Sequence, residues 1–326
     1  MLSPRRILHY GISAAIVILL VIFARTVTWE AAWDAMRNAS LPLLALAILA
    51  NVSSLIFRAI RWWILLRALD SPSLALSMRA TVAGAGLNNV LVANGGEAAR
   101  IVFVTRSSGI PSSKVLASAA LDRLFDPVGF VALLVFGLVA FELPHDMQRL
   151  RLPAIIALVL ITALLIWLGL KARSSTTPKL THERQPTPSK WGGKLRAWLN
   201  EFGRSMHDLA TGPRIIAMVL LTLLAWLGQL ATFALAAAAA HVHLSLPGNL
   251  VALLAVNVSL IVRATPGNIG LFQFAYTLMT APFGVPKESA VAVSFLIQTI
   301  QIIPITLLGV ALAPEFLFKK KASKQA

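Results

Sequence analysis

A chain of 326 residues with 57% hydrophobic and only 13% charged residues and a mean hydropathy of +0.77 lacks the composition of a water-soluble globule, in which about a quarter of residues are charged. Its 29 Lys+Arg against 13 Asp+Glu give +16, but the basic residues cluster between apolar runs (Arg5, Arg6; Lys171 to Arg214; Lys319 to Lys324), the pattern of positive cytoplasmic loops rather than of a nucleic-acid binder. No cysteine is present and the six His are scattered, which excludes disulfides, thiolate chemistry and any metal cluster of recognisable spacing; no cofactor is implied.

Apolar runs of about 20 residues recur along the chain, each able to cross a hydrocarbon core as a helix. They predict an all-α polytopic membrane protein forming a single membrane domain, with about six full transmembrane helices and two re-entrant, broken helix pairs. The first run, Ile7 to Ala24, follows Arg5-Arg6; it is longer than a signal-peptide core and no A-x-A site follows, so it reads as a retained helix. Trp29, Glu30, Trp33, Asp34 and Arg37 then make a short amphipathic piece suited to the outer interface. Leu41 to about Leu66 is the second span, with Arg58, Arg61 and Arg67 toward its cytoplasmic end and Trp62-Trp63 as an interfacial belt.

Leu74 to Gly109 is apolar but interrupted by Gly84, Gly86, Asn88, Asn89, Asn94, Gly95, Gly96, Glu97 and Arg100. Irregular backbone at membrane depth persists where protein or a wet cavity surrounds it, so this stretch reads as a re-entrant pair broken near Asn94 to Gly96. A long span from about Lys114 to Phe141, an external loop from Pro144 to Arg151 and a returning span from Leu152 to Leu170 follow. Residues 171–213 carry eight basic residues against three acidic ones and several prolines, as a cytoplasmic linker with a surface helix around Trp191 to Leu209 would. Arg214 to Ala240 goes outward, Leu250 to Pro282 is broken again at Thr265 to Gly270, and Lys287 to Leu312 returns, leaving both termini cytoplasmic.

Gly109-Ile110-Pro111 and Gly284-Val285-Pro286 stand 175 residues apart, each about 14 residues after a glycine-containing break and each opening a long apolar helix. With the charge-based topology this predicts two inverted repeats, about 74–141 and 250–312, a recurrent transporter design whose ligand site lies where the breaks meet. Two helix starts sharing a Gly-x-Pro beginning would leave the same trace.

Ionisable groups inside apolar spans face a partner or a wet cavity. Glu97 and Arg100 are spaced i, i+3 after the first break; with Asn94 and the backbone N–H groups of Gly95-Gly96 they make a cradle for a phosphate headgroup, and an internal ion pair fits the same spacing. Asp122 and Asp126 lie i, i+4 with Arg123 between them, a set able to bind a cation, relay protons or clamp a headgroup, and equally able to form a structural salt bridge. Arg263, Asn268 and Gln273 line the second break, and Gln298 and Gln301 occupy the repeat positions of Arg123 and Asp126, so the second half offers amides where the first offers charges. Arg58 and Arg61, again i, i+3, complete the candidate headgroup-binding residues; positive-inside anchoring also accounts for them.

The same residues carry a family likeness. Arg58/Arg61-Trp62, Gly96-Glu97-Ala98-Ala99-Arg100, Gly109-Ile110-Pro111, Asp122-Arg123-x-x-Asp126, Pro266-Gly267-Asn268-Ile269-Gly270 and Gly284-Val285-Pro286, in this order, resemble the lysylphosphatidylglycerol synthase transmembrane-domain family, also called flippase-like, over about residues 7 to 313. The resemblance implies a bacterial inner-membrane protein linked to lipid translocation, with relatives acting on aminoacylated phosphatidylglycerol, hopanoids or polyprenyl-linked sugars. Two positions depart from it: Ala93-Asn94 stands where many relatives have a proline, and Gln273 where many have Glu. No synthetase domain follows Leu312, so aminoacyl transfer is not expected.

The expected function is that of a lipid or lipid-linked-intermediate translocase, not an enzyme, binding an anionic or zwitterionic headgroup (phospholipid, hopanoid or polyprenyl-linked) in a polar intramembrane cavity. The alternatives are a membrane-embedded glycosyl- or phospho-group transferase using Asp122 and Asp126 as base or metal ligands, and a non-transporting scaffold. No Walker A sequence is present, so a gradient, the membrane potential or downhill lipid flow would drive transport. The segments around Trp29/Trp33 and Trp191/Trp198 suit lipid anchoring or homo-oligomer contacts.

Overall fold

The computed structural model of the chain describes residues 27–70, 72–90, 95–142, 212–260 and 268–318, with isolated positions at 25, 149 and between 152 and 163. Helices account for its regular structure: α1 (Trp29–Arg37), α2 (Leu41–Asp70), α3 (Leu74–Val90), α4 (Gly95–Ser108), α5 (Ser112–Ala140), α6 (Gly212–Ala239), α7 (Leu246–Ser259), α8 (Leu271–Thr280), a 3-10 turn (Ala281–Phe283) and α9 (Lys287–Phe318). Within them Leu41–Leu69, Ser112–Ala140, Pro213–Ala239 and Lys287–Gly309 are long and apolar enough to cross a membrane. The shortest, of 23 residues, extends about 34 Å at 1.5 Å per residue, more than a hydrocarbon core. Of the six spans expected, four fall on described residues; the first run (7–24) lies outside them, as do the linker with its surface helix, most of Leu152 to Leu170 and most of the loop before it.

Both interrupted stretches are pairs of shorter helices, α3 packed on α4 and α7 packed on α8. At the first, a Cβ on Gly96 would stand 1.9 Å from the Gly84 carbonyl oxygen, so the pair meets backbone to backbone and only glycine fits there. Each pair ends alike. Gly109 (φ +74°) and Gly284 (φ +77°) adopt left-handed backbone with no atom within 4 Å of where a Cβ would be, so glycine serves conformation there rather than space. A proline two residues on leads into the long helices, which begin at Ser112 and Lys287.

The chain forms two compact units. In the unit of Met1–Val52, Phe136–Gln148 and Leu227–Pro304, Ala32 of the short helix α1 is buried with Val27 and Val291, and the Trp29 ring lies 6.1 Å from that of Phe295. The buried Asn51 amide donates to the Ile300 carbonyl (3.2 Å). Phe233 packs against Phe272 and Tyr276 at 6.4 and 6.1 Å between ring centroids.

The unit of Ser53–Val135, Arg149–Trp226 and Ile305–Ala326 is built on a core that includes Trp62, Leu65, Leu66, Phe103, Ile110, Leu121, Phe125 and Met218. Here α3 and α9 cross at Gly86 and Gly309, where a Cβ on Gly86 would lie 2.8 Å from the Gly309 Cα and from the Ile305 carbonyl oxygen. Backbone cannot yield as a side chain does, so Gly86→Ala is expected to destabilise the purified protein by about 1–3 kcal/mol. An unchanged thermal midpoint for that variant would refute the close crossing.

Candidate functional site

Three helices of the second unit carry charges inward. The i, i+3 spacing sets Arg58 and Arg61 on one face of α2, Glu97 and Arg100 lie in the first turns of α4, and Asp122, Arg123 and Asp126 share a stretch of α5. Six of these side chains close into a circuit of alternating sign. Arg61 Nε donates to Asp122 Oδ1 (2.7 Å) and Arg61 Nη2 to Asp126 Oδ1 (2.8 Å). Arg100 Nη2 donates to Asp122 Oδ2 (3.3 Å), and Arg100 Nε faces Glu97 Oε2 at 3.2 Å as an ion pair without hydrogen-bond alignment. Arg123 closes the circuit, with Nη1 on Asp126 Oδ2 (2.9 Å) and Nη2 on Glu97 Oε1.

Each carboxylate thus uses both oxygens, one on each of two guanidinium groups. A charge withdrawn from water is tolerated when it is paired and hydrogen-bonded; this circuit pairs three cations with three anions and leaves the buried Arg100 Nε without a hydrogen bond. Supporting contacts hold it in place. Arg61 Nη1 donates to Thr222 Oγ1 of α6 (2.8 Å), the Arg100 guanidinium lies over the Trp62 ring at 4.2 Å, and Trp62 Nε1 donates to Ser118 Oγ (3.1 Å). Pro127 directly after Asp126 lacks the N–H that would otherwise bond to the Arg123 carbonyl within α5.

The circuit has two sides. The side chains of Arg61, Asp122 and Arg100 are 2–4% exposed, whereas Glu97, Asp126 and Arg123 are 23%, 24% and 46% exposed. Arg58 is the seventh charge, half-buried on α2 and within electrostatic reach of Asp126, Asp122, Arg61 and Arg123. Four arginines against three carboxylates leave the cluster one positive charge in excess.

Several sequence expectations change here. Arg61, equally explained as a cytoplasmic anchor, is a buried hub. Trp62, expected in an interfacial belt, is fully buried beneath Arg100, while its neighbour Trp63 is bonded to the Pro72 carbonyl (3.0 Å) with Arg67 over its ring. The backbone cradle expected at Gly95-Gly96 is in part already used, because Gly96 N–H donates to Asn88 Oδ1 (2.9 Å). Asn94 and Arg263 lie outside the described residues. Sequence reasoning did not find Thr222, Ser118 or the pairing of Trp62; the i, i+3 arginines directly before that tryptophan were the available signal.

At the second break Asn268 (φ +57°) and Gly270 (φ +89°) turn the chain into α8. Gly270 N–H donates to Gln273 Oε1 (2.6 Å) and Gln273 Nε2 to Gln298 Oε1 of α9 (2.7 Å). Uncharged amides therefore bond to each other in the first unit, and the ionic circuit belongs to the second.

The sequence model of the lysylphosphatidylglycerol synthase TM region matches residues 8–309. The chain belongs to this family. A UPF0104 membrane protein from Pyrococcus horikoshii is 26% identical over 299 residues, taking in 84% of this chain and 87% of that one. Membership ties the chain to lipid metabolism at a membrane, and the matched span contains the whole ionic circuit and both helix breaks. Among the described residues no three His, Asp or Glu stand together as metal ligands in this family member.

Proposed function

We propose that the protein is a lipid translocase of the flippase type, binding an anionic or zwitterionic headgroup at the accessible side of the ionic circuit. The observation that carries this is the surplus guanidinium: in a chain of apolar helices, a neutral circuit of six charges accompanied by Arg58 attracts an anion without leaving a buried carboxylate unpaired. Arg123, nearly half exposed and forked, is the residue best placed to meet phosphate oxygens. The paired glycines at 109 and 284, with their matching backbone, support two repeats. Basic-loop topology would orient them oppositely, with α3–α4 and α7–α8 as re-entrant pairs about which access alternates, both termini in the cytoplasm of a bacterium.

A transferase would need Asp122 or Asp126 free to take a proton or a metal. Both are held by two guanidinium groups each, which favours translocation. Native mass spectrometry of the purified protein tests the reading: wild type should retain an anionic lipid selectively, and Arg123→Ala should lose at least about tenfold of that retention while remaining folded. Indifferent bulk phospholipid on both proteins would refute headgroup binding at this site and shift weight to the scaffold reading.

A further inference from the structure

The third residue of α4 is linked to the twelfth of α5, and the same two positions are linked in α8 and α9: Arg123 donates to Glu97, and Gln273 donates to Gln298. Arg123 and Gln298 each stand 14 residues after a left-handed glycine, Gly109 or Gly284. The two links differ in chemistry and setting. Both glutamines are uncharged and buried, so an anion has no charge to displace there. Glu97 and Arg123 are partly exposed, and an anion approaching Arg123 meets a guanidinium that a carboxylate already occupies.

Of the three carboxylates in the circuit, Glu97 is held most loosely. Asp122 and Asp126 each accept two hydrogen bonds from arginines, whereas Glu97 accepts one, from Arg123. Its other oxygen faces Arg100 Nε at 3.2 Å out of alignment, and that buried donor is unbonded. Buried donors are nearly always bonded, so an idle one beside a loosely held acceptor marks a second resting place for the carboxylate. The start of α4 need not move for this. Gly96 is wedged against Gly84 and bonded to Asn88, so rotation of the Glu97 side chain suffices. We infer that Glu97 is a built-in competitor for the headgroup site: it holds Arg123 until a phosphate oxygen takes its place, then turns to bond Arg100 Nε. Arg123 exchanges one anion for another and Glu97 keeps a cation beside it, so no charge is left unpaired in either arrangement. The returning carboxylate displaces the headgroup again. This deepens the translocase reading and rests on it.

The test is native mass spectrometry of the full chain in nanodiscs holding phosphatidylglycerol and phosphatidylcholine. Glu97→Gln keeps the side-chain length and removes the competing charge, so it should retain about two- to tenfold more phosphatidylglycerol than wild type. That rise could also come from net charge alone, and a double-mutant cycle separates the two causes. In an Arg123→Ala background Glu97→Gln should change retention by less than about twofold, because the residue competed for is gone. A second readout needs no variant at Glu97. The Arg100 Nε–H resonance of the wild type, assigned by its loss in Arg100→Lys, should move to lower field when phosphatidylglycerol is added to phosphatidylcholine nanodiscs, as its hydrogen bond forms. Retention in Glu97→Gln at or below wild type, the same rise persisting in the Arg123→Ala background, or an Arg100 resonance indifferent to phosphatidylglycerol would each overturn the inference and leave the headgroup site standing. Were the wild type to retain both lipids alike, the headgroup site would fall and the competitor with it.

Discussion

Arg61→Ala is expected to cost the fold about 3–5 kcal/mol, the usual penalty for removing one partner from a buried ion pair. Arg61 bonds to Asp122 and Asp126 on α5 and to Thr222 on α6, so its loss leaves two carboxylates half-paired and a buried hydroxyl without its donor. Arg61→Lys should rescue little, since an ammonium on a flexible stem cannot reproduce a planar fork reaching three partners. Pairing the loss with removal of an anion should help: Arg61→Leu/Asp122→Leu leaves Arg100, Glu97, Arg123 and Asp126, two charges of each sign, and is expected to be more stable than Arg61→Leu alone. Thermal midpoints followed by fluorescence-detected size exclusion would decide this, and Arg61→Ala with the wild-type midpoint would refute the hub.

How much of this was legible in the sequence depends on separation along the chain. The long helices follow from apolar length alone. Left-handed turns at Gly109 and Gly284 follow from a glycine two residues before a proline at a helix start, and the ion pairs Glu97–Arg100 and Arg123–Asp126 follow from i, i+3 spacing on one helix. Contacts across helices do not, because the rotation of α2 about its axis relative to α5 is set by packing of Trp62, Leu121 and Phe125 in the core, not by any local preference. Arg61 near a basic helix end therefore looked as much like an anchor as a ligand. The helix start at Gly95-Gly96 looked open for the complementary reason: Asn88, eight residues earlier, bonds to Gly96 only once α3 and α4 have folded together. At the second break the amides were legible as candidates, whereas the inward turn of Tyr276 was not.

Arg58→Gln is expected to remove the preference for anionic over zwitterionic lipid while leaving the fold intact. The six-charge circuit closes without Arg58, so its removal breaks no edge and takes away the single excess charge. An anion about 5 Å from that charge at an effective dielectric of 20 gains about 3 kcal/mol, roughly a hundredfold in affinity. Partial exposure screens this, so the fall in preference should lie between about tenfold and a hundredfold. Arg123→Ala, by contrast, opens two edges of the circuit, and its effect mixes lost recognition with disturbed geometry. Arg58→Lys separates charge from shape: it keeps the excess charge and loses the fork, so an intermediate preference is expected. Competition between phosphatidylglycerol and phosphatidylcholine in nanodiscs reads all three, and added salt should narrow the wild-type preference toward that of Arg58→Gln. Were Arg58→Gln to discriminate as the wild type does, the excess charge would not be what selects the lipid, and the accessible arc of Glu97, Arg123 and Asp126 would have to do so as a mixed surface of two carboxylates and one guanidinium.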